Sequence, residues 1–175
     1  IGIIGCGGIA NEKHLTAMAV QPEAELAAFC TGSLAISAET NAGSGSWEAA
    51  ACRYLQDLEI LEPDWLALLK QWEQAPELPS FAPQDPEKLE RIAVYFAFRY
   101  LLKAVNDGDL LGRAQFCALG VLVTDRLSRF VGLPEALRLV SREIEHNGDN
   151  LDTLLEQFWQ TEGLSLSALL AAFGG

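Results

Sequence analysis

The chain has 175 residues, half of them hydrophobic, with 24 acidic against 12 basic side chains and a formal net charge of −12. That length suits one ordinary domain, or one domain with an appendage, and the apolar content is enough for a core. The acidic balance argues against non-specific nucleic-acid binding, which needs basic surface to displace counterions, and leaves room for a basic protein partner.

In chain order, the apolar run Ile1–Ile4 flows into Gly5-x-Gly7-x-x-Ala10. This is the strand–turn–helix pattern whose glycines let backbone approach a pyrophosphate at a helix N-terminus. Asn11–Val20 reads as a helix, Pro22 breaks it, and Ala24–Cys30 reads as a second strand. Residues 31–46 (TGSLAISAETNAGSGS) are small and polar and read as a linker. From Trp47 onward strand signals nearly vanish. Ser46 is placed to cap a helix running to about Leu61, and Pro63-Asp64 opens a second, to about Ala75. Residues 76–85 carry three prolines and read as a loop. Pro86 opens a long helix through Val105. Asp107-Gly108-Asp109 ends it and caps the next, roughly Leu110 to Phe130. Glu135–His146, Asn150–Gln160 and Ser165–Phe173 follow, separated by Gly, Pro and Asn turns. The expected fold is mainly α: a bundle of about seven helices over 47–175, with a short Rossmann-like βαβ appendage over 1–30.

Cys6, Cys30, Cys52 and Cys117 lie far apart with no CxxC pair. This suits reduced thiols and a cytoplasmic protein, and argues against a metal site built from this chain alone. No segment looks like a signal peptide. Arg99, Lys103 and Asp125 break the longest apolar stretches, so no membrane span is expected. The chain begins at Ile1, already inside a strand pattern, and reads as part of something longer.

The stretch IGIIGCGGIA, with His14, Ala17 and the closing strand AELAAFC, resembles the N-terminus of the Gfo/Idh/MocA family of NAD(P)-dependent oxidoreductases. The resemblance covers residues 1–30. It implies cofactor contacts at Gly5, Gly7, Gly8, Ile9 and Ala10. Where that family ends its second strand in an acidic ribose partner, Cys30 here is followed by Thr31 and Gly32. The Glu-Lys-Pro element of the catalytic lysine has no counterpart, since Pro86-Glu87-Lys88 has the wrong order. NAD(P) binding is therefore expected to be weak, with Kd above ~1 mM.

A longer resemblance runs over residues ~53–160, chiefly 90–160. Its carrying segments are Tyr95-Phe96-Ala97-Phe98-Arg99-Tyr100, Lys103-Ala104-Val105-Asn106-Asp107-Gly108-Asp109-Leu110-Leu111, Ser141-Arg142-Glu143-Ile144-Glu145-His146 and Asn150-Leu151-Asp152. In order and spacing they resemble the C-terminal helical part of the flagellin lysine-N-methylase family. The resemblance implies S-adenosylmethionine as cofactor and a flagellin-like protein as substrate. That family's cysteine-rich region, which carries its iron–sulfur ligands, has no counterpart here.

Several polar residues stand out for their setting. Arg99, between Phe98 and Tyr100, is expected to be at least partly buried and paired with a carboxylate from another segment. Asp107, Asp109, Glu143 and Glu145 are candidates, with Glu143 or Glu145 first. Either a structural ion pair or a substrate contact would result. With Arg142 and His146 these residues form the candidate polar cluster. Glu143-x-x-His146 is half of a di-iron bundle motif, but only one copy is present and His14 is the sole other histidine. No metal site is assigned; Glu145 and His146 are expected to cap or solvate a helix end. The aromatics Tyr95, Phe96, Phe98 and Tyr100 suit core packing, or, with Trp47, Trp65, Trp72 and Trp159, a partner groove. No GxSxG, HExxH or Walker A motif occurs, and no catalytic residue is assigned. The leading expectation is a partial lysine-N-methylase-like protein. Its helical part would hold a substrate or organise a missing catalytic region. The alternatives are an NAD(P)-dependent oxidoreductase and a non-catalytic helical interaction module.

Overall fold

A computed structural model describes residues 47–75, 85–161 and 163–173. The βαβ unit expected over 1–30, its glycine turn and the linker over 31–46 lie outside the described residues. Within them the protein is helical, with no strand. Seven helices of two turns or more follow one another: α1 (Trp47–Asp57), α2 (Pro63–Glu73), α3 (Pro86–Tyr100), α4 (Leu110–Val131), α5 (Leu133–Val140), α6 (Gly148–Gln157) and α7 (Leu166–Phe173).

Most boundaries follow from local chemistry. Asp85 caps α3 by accepting from the Lys88 N–H at 3.1 Å, with Pro86 at the first helical position. Asp109 caps α4 through the Gly112 N–H at 2.8 Å. Gly108, at φ 75°, closes the preceding turn (Ala104–Asp107) in a left-handed conformation that costs glycine little. Asn147 caps α6 through the Asn150 N–H at 3.2 Å.

Three stretches depart from the sequence expectation. Helix α1 stops at Asp57, and residues 58–62 are irregular. Glu62 is extended because the residue before a proline is pushed out of the helical region. Helix α3 gives way at Tyr100 to a 3₁₀ turn, Leu101–Lys103, and the single turn Ala104–Asp107. The helix expected over 135–146 begins instead at Leu133 and opens into a π-helical turn, Ser141–Glu145.

Helix α4 is the hub, packing against α2, α3, α5, α6 and α7. It is buried on all sides from Gln115 to Ser128, which marks a central rather than a surface helix. Phe96 and Tyr100 of α3 meet Phe116 of α4 edge-on, at centroid separations of 5.9 and 4.8 Å. This approach needs Gly120: a Cβ there would stand 2.8 Å from the Phe96 ring. Trp65 and Trp72 of α2 are buried in the same core, so they line no external groove.

Candidate functional site

The π turn decides the site. Glu143 and Glu145 lie two residues apart on it, so their side chains leave in nearly opposite directions. Glu145 turns toward α3. One of its oxygens accepts from the Tyr100 hydroxyl at 2.7 Å and the Tyr95 hydroxyl at 2.9 Å. Arg99 donates from Nε to the Tyr100 oxygen at 3.1 Å and lies 3.8 Å from Glu145. Its guanidinium sits 5.8 and 5.7 Å from the Tyr95 and Tyr100 ring centroids, and the Lys103 ammonium is 5.0 Å from that of Tyr100. The Glu145 side chain is only 4% exposed, whereas that of Arg99 is 44% exposed. A covered carboxylate is thus held by two phenols, with a half-solvated guanidinium above them.

These contacts shift the phenols. Burial, then the Glu145 carboxylate, pushes Tyr100 well above its ordinary value, and Tyr95 moves the same way for the same causes. The hydrogen bond to the Tyr100 hydroxyl, followed by the charges of the Tyr100 and Tyr95 phenols and of Glu145, raises Arg99.

Glu143 points the other way and is fully buried. It accepts from the backbone N–H groups of Leu61 at 2.9 Å and Glu62 at 2.7 Å, just before α2. Asn150 completes the joint: its amide donates to the carbonyls of Glu143 at 2.7 Å and Glu59 at 2.8 Å, and its oxygen accepts from the Glu59 N–H at 3.0 Å. This exchange is why residues 58–62 leave the helical path. Glu62 grips Arg138 of α5 through two bonds of 3.0 and 2.9 Å and lies 3.4 Å from Arg142. The Arg138 guanidinium holds Glu62 below its ordinary value.

The remaining candidates lie apart from this network. Asp107 accepts from the Asp109 N–H at 3.0 Å and pairs with Arg113 at 2.6 Å, so both aspartates serve the turn rather than Arg99. His146 is exposed while Glu143 is buried against backbone N–H groups, so the two do not converge on a common ligand. No group of three or more His, Cys, Asp or Glu side chains arranged to hold a metal occurs among the described residues. Gly5, Gly7, Gly8, Ile9 and Ala10 lie outside them. Cys52 and Cys117 are free and buried; burial raises Cys52 and pushes Cys117 up to about 12, which leaves both as inert thiols.

Two further features are structural. Buried Arg126 of α4 pairs with Glu48 of α1. An open cleft of about 350 Å³ is lined by Asp85, Lys88, Asp125, Ser128 and Pro134, among others. Its polar groups are already engaged: Lys88 with Asp85 at 2.6 Å, Asp125 with Arg129 at 3.1 Å, and the Ser128 hydroxyl with the Asp125 carbonyl at 2.7 Å.

Of the residues that build the cluster, the sequence singled out Arg99 and Glu145 for their charge. It noted Tyr95 and Tyr100 as aromatics and Lys103 as a break in an apolar run, and all three as part of the segments that carry the family resemblance, but assigned none of them to a polar cluster. The useful signal was the run of hydroxyl-bearing and cationic side chains within one otherwise apolar helix. Comparison of the chain with protein-family models, curated proteins and solved structures gives no match.

Proposed function

We propose that the helical region is the partner-holding part of a lysine-N-methylase-like protein, acting on or beside a flagellin-type substrate. One observation carries this reading. The segments through which the chain resembles that family are scattered over nearly 60 residues, from Tyr95 to Asp152, and they meet in space. Tyr95, Arg99 and Tyr100 meet Glu145, and Glu143 meets Asn150. The π turn thus joins residues from three of these segments on its two sides, Glu145 to α3 and Glu143 to α6, while Asp107 and Asp109 serve their own turn. The iron–sulfur ligands of that family lie in a cysteine-rich region that has no counterpart in this sequence. Holding a partner is therefore the role left to these helices.

The test is calorimetric titration of the full chain with monomeric flagellin. Binding at a Kd of ~10 μM, a binding free energy of roughly 7 kcal/mol, supports the reading. No heat at ~100 μM of either protein overturns it. The reading as a non-catalytic interaction module is favoured by the exposed apolar side chains of α3 and the turns after it. It predicts a stable complex with a protein other than flagellin. The oxidoreductase reading rests on residues 1–30, and micromolar NAD(P) binding in the same instrument would favour it.

A further inference from the structure

Tyr95, Phe98, Leu102 and Val105 are all exposed, Phe98 by 64% and Val105 by 70%. Their spacing of three, four and three residues puts them along one side of the nearly continuous helical run 86–107. At 1.5 Å per residue the stripe is roughly 15 Å long. Leu110 and Leu111, also exposed, follow it past the Gly108 turn. None of these side chains is needed for the core, which α3 already serves through Leu89, Ile92, Phe96 and Tyr100.

The charges beside the stripe differ from those of the chain as a whole. Acidic residues outnumber basic ones two to one overall, yet the cations set into this face are Arg99 and Lys103. Lys103 has no carboxylate partner among the described residues. Arg99 leans on the Tyr100 and Tyr95 phenols and on Glu145, yet its side chain remains 44% exposed. A second copy is a poor occupant: two-fold pairing about the middle of the stripe would bring the two Arg99 side chains together, between chains that each carry −12. A narrow apolar stripe with the exposed cations Arg99 and Lys103 alongside matches one apolar helix face bordered by carboxylates.

We propose that the face made by Tyr95, Phe98, Leu102 and Val105 docks an amphipathic helix of another protein, whose apolar side chains cover the stripe and whose aspartates or glutamates meet Arg99 and Lys103. This rests on the partner-holding reading above, but not on flagellin as the partner. A chain that ignores flagellin yet binds the acidic probe described next fails only the flagellin assignment.

The probe is a labelled synthetic helix of about 18 residues, with leucines at the matching spacing and glutamates on both flanks. A second peptide keeps the leucines and carries lysines instead. Fluorescence anisotropy with the full chain is expected to show the glutamate peptide binding at least ~10-fold tighter than the lysine peptide, with the difference shrinking as salt rises. Phe98→Ser is expected to weaken the glutamate peptide by about 10-fold or more, because it removes the most central apolar contact. Lys103→Glu is expected to erase or reverse the preference between peptides. Both substitutions are at exposed positions, and an unchanged thermal melt confirms that each variant is folded. Equal affinity for the two peptides, binding of neither at ~1 mM, or full affinity in Phe98→Ser would each overturn the proposal.

Discussion

Replacing Glu143 by glutamine tests the joint on which the site depends. The carboxylate is fully buried and receives two backbone N–H groups, at 2.9 and 2.7 Å, from the residues that lead into α2. Glutamine keeps one acceptor oxygen and sets an NH₂ group against the second N–H. One charge-assisted bond, about 1.5–3 kcal/mol, is lost, and a buried donor is left unmet at a cost of about 1–3 kcal/mol. These overlap, so a net destabilisation of about 2–4 kcal/mol is expected. For a helical region of this size that lowers the melting temperature by roughly 10 °C. Far-UV circular dichroism melts of Glu143→Gln, with Glu87→Gln on the exposed side of α3 as the control, measure it. Amide exchange at Leu61 and Glu62 should accelerate in the variant. A melt within ~2 °C of the parent, with unchanged exchange at those two amides, would show that the carboxylate does not hold the 58–62 segment.

Tyr100→Phe removes a hydroxyl from a buried side chain and a donor from a covered carboxylate, so about 1–3 kcal/mol should be lost in the same melts. Both phenols titrate above their ordinary value in the folded protein. The stability they contribute is therefore complete below pH ~10 and falls as pH rises through the raised native values. Tyr100→Phe should flatten that alkaline decline, and an identical decline in parent and variant would refute the assignment. Arg99→Met should lower the melting temperature less than Tyr100→Phe does, because the guanidinium is half-solvated and Glu145 keeps both phenol hydroxyls; the reverse ranking would mean that the guanidinium is the main support of Glu145. Gly120→Ala forces the Phe96 ring to move and should cost about 1–3 kcal/mol by overpacking, whereas a neutral or stabilising result would mean that the ring has room.

Much of the helical pattern was legible in the sequence because it is punctuated by residues with strong local effects. Asp85-Pro86, Asp107-Gly108-Asp109 and Asn147 start or stop helices through their own side chains or dihedral angles. The helix ends near residues 58–62 and 141–145 were not legible. Their geometry is set by Glu143 and Asn150 reaching across more than 80 residues of sequence to the Glu59–Glu62 backbone. The need of Arg99 for a carboxylate could be read from its apolar neighbours. The choice between Glu143 and Glu145 could not, because it depends on a π-helical turn that no short-range pattern announces. Of the aromatics around Arg99, Phe96 and Tyr100 are core residues, while Tyr95 and Phe98 are exposed. The sequence showed that four aromatics could not share one face, but not which of them would be left outside.

Hydrogen–deuterium exchange of the full chain, alone and with saturating monomeric flagellin, tests the partner-holding role most directly. Slowed exchange on adding flagellin is expected over residues 95–111 and in the π turn 141–145 that braces them, with α2 and the centre of α4 unchanged. Exchange that is the same with and without flagellin, or protection confined to helices away from Tyr95, Arg99 and Glu145, would contradict it.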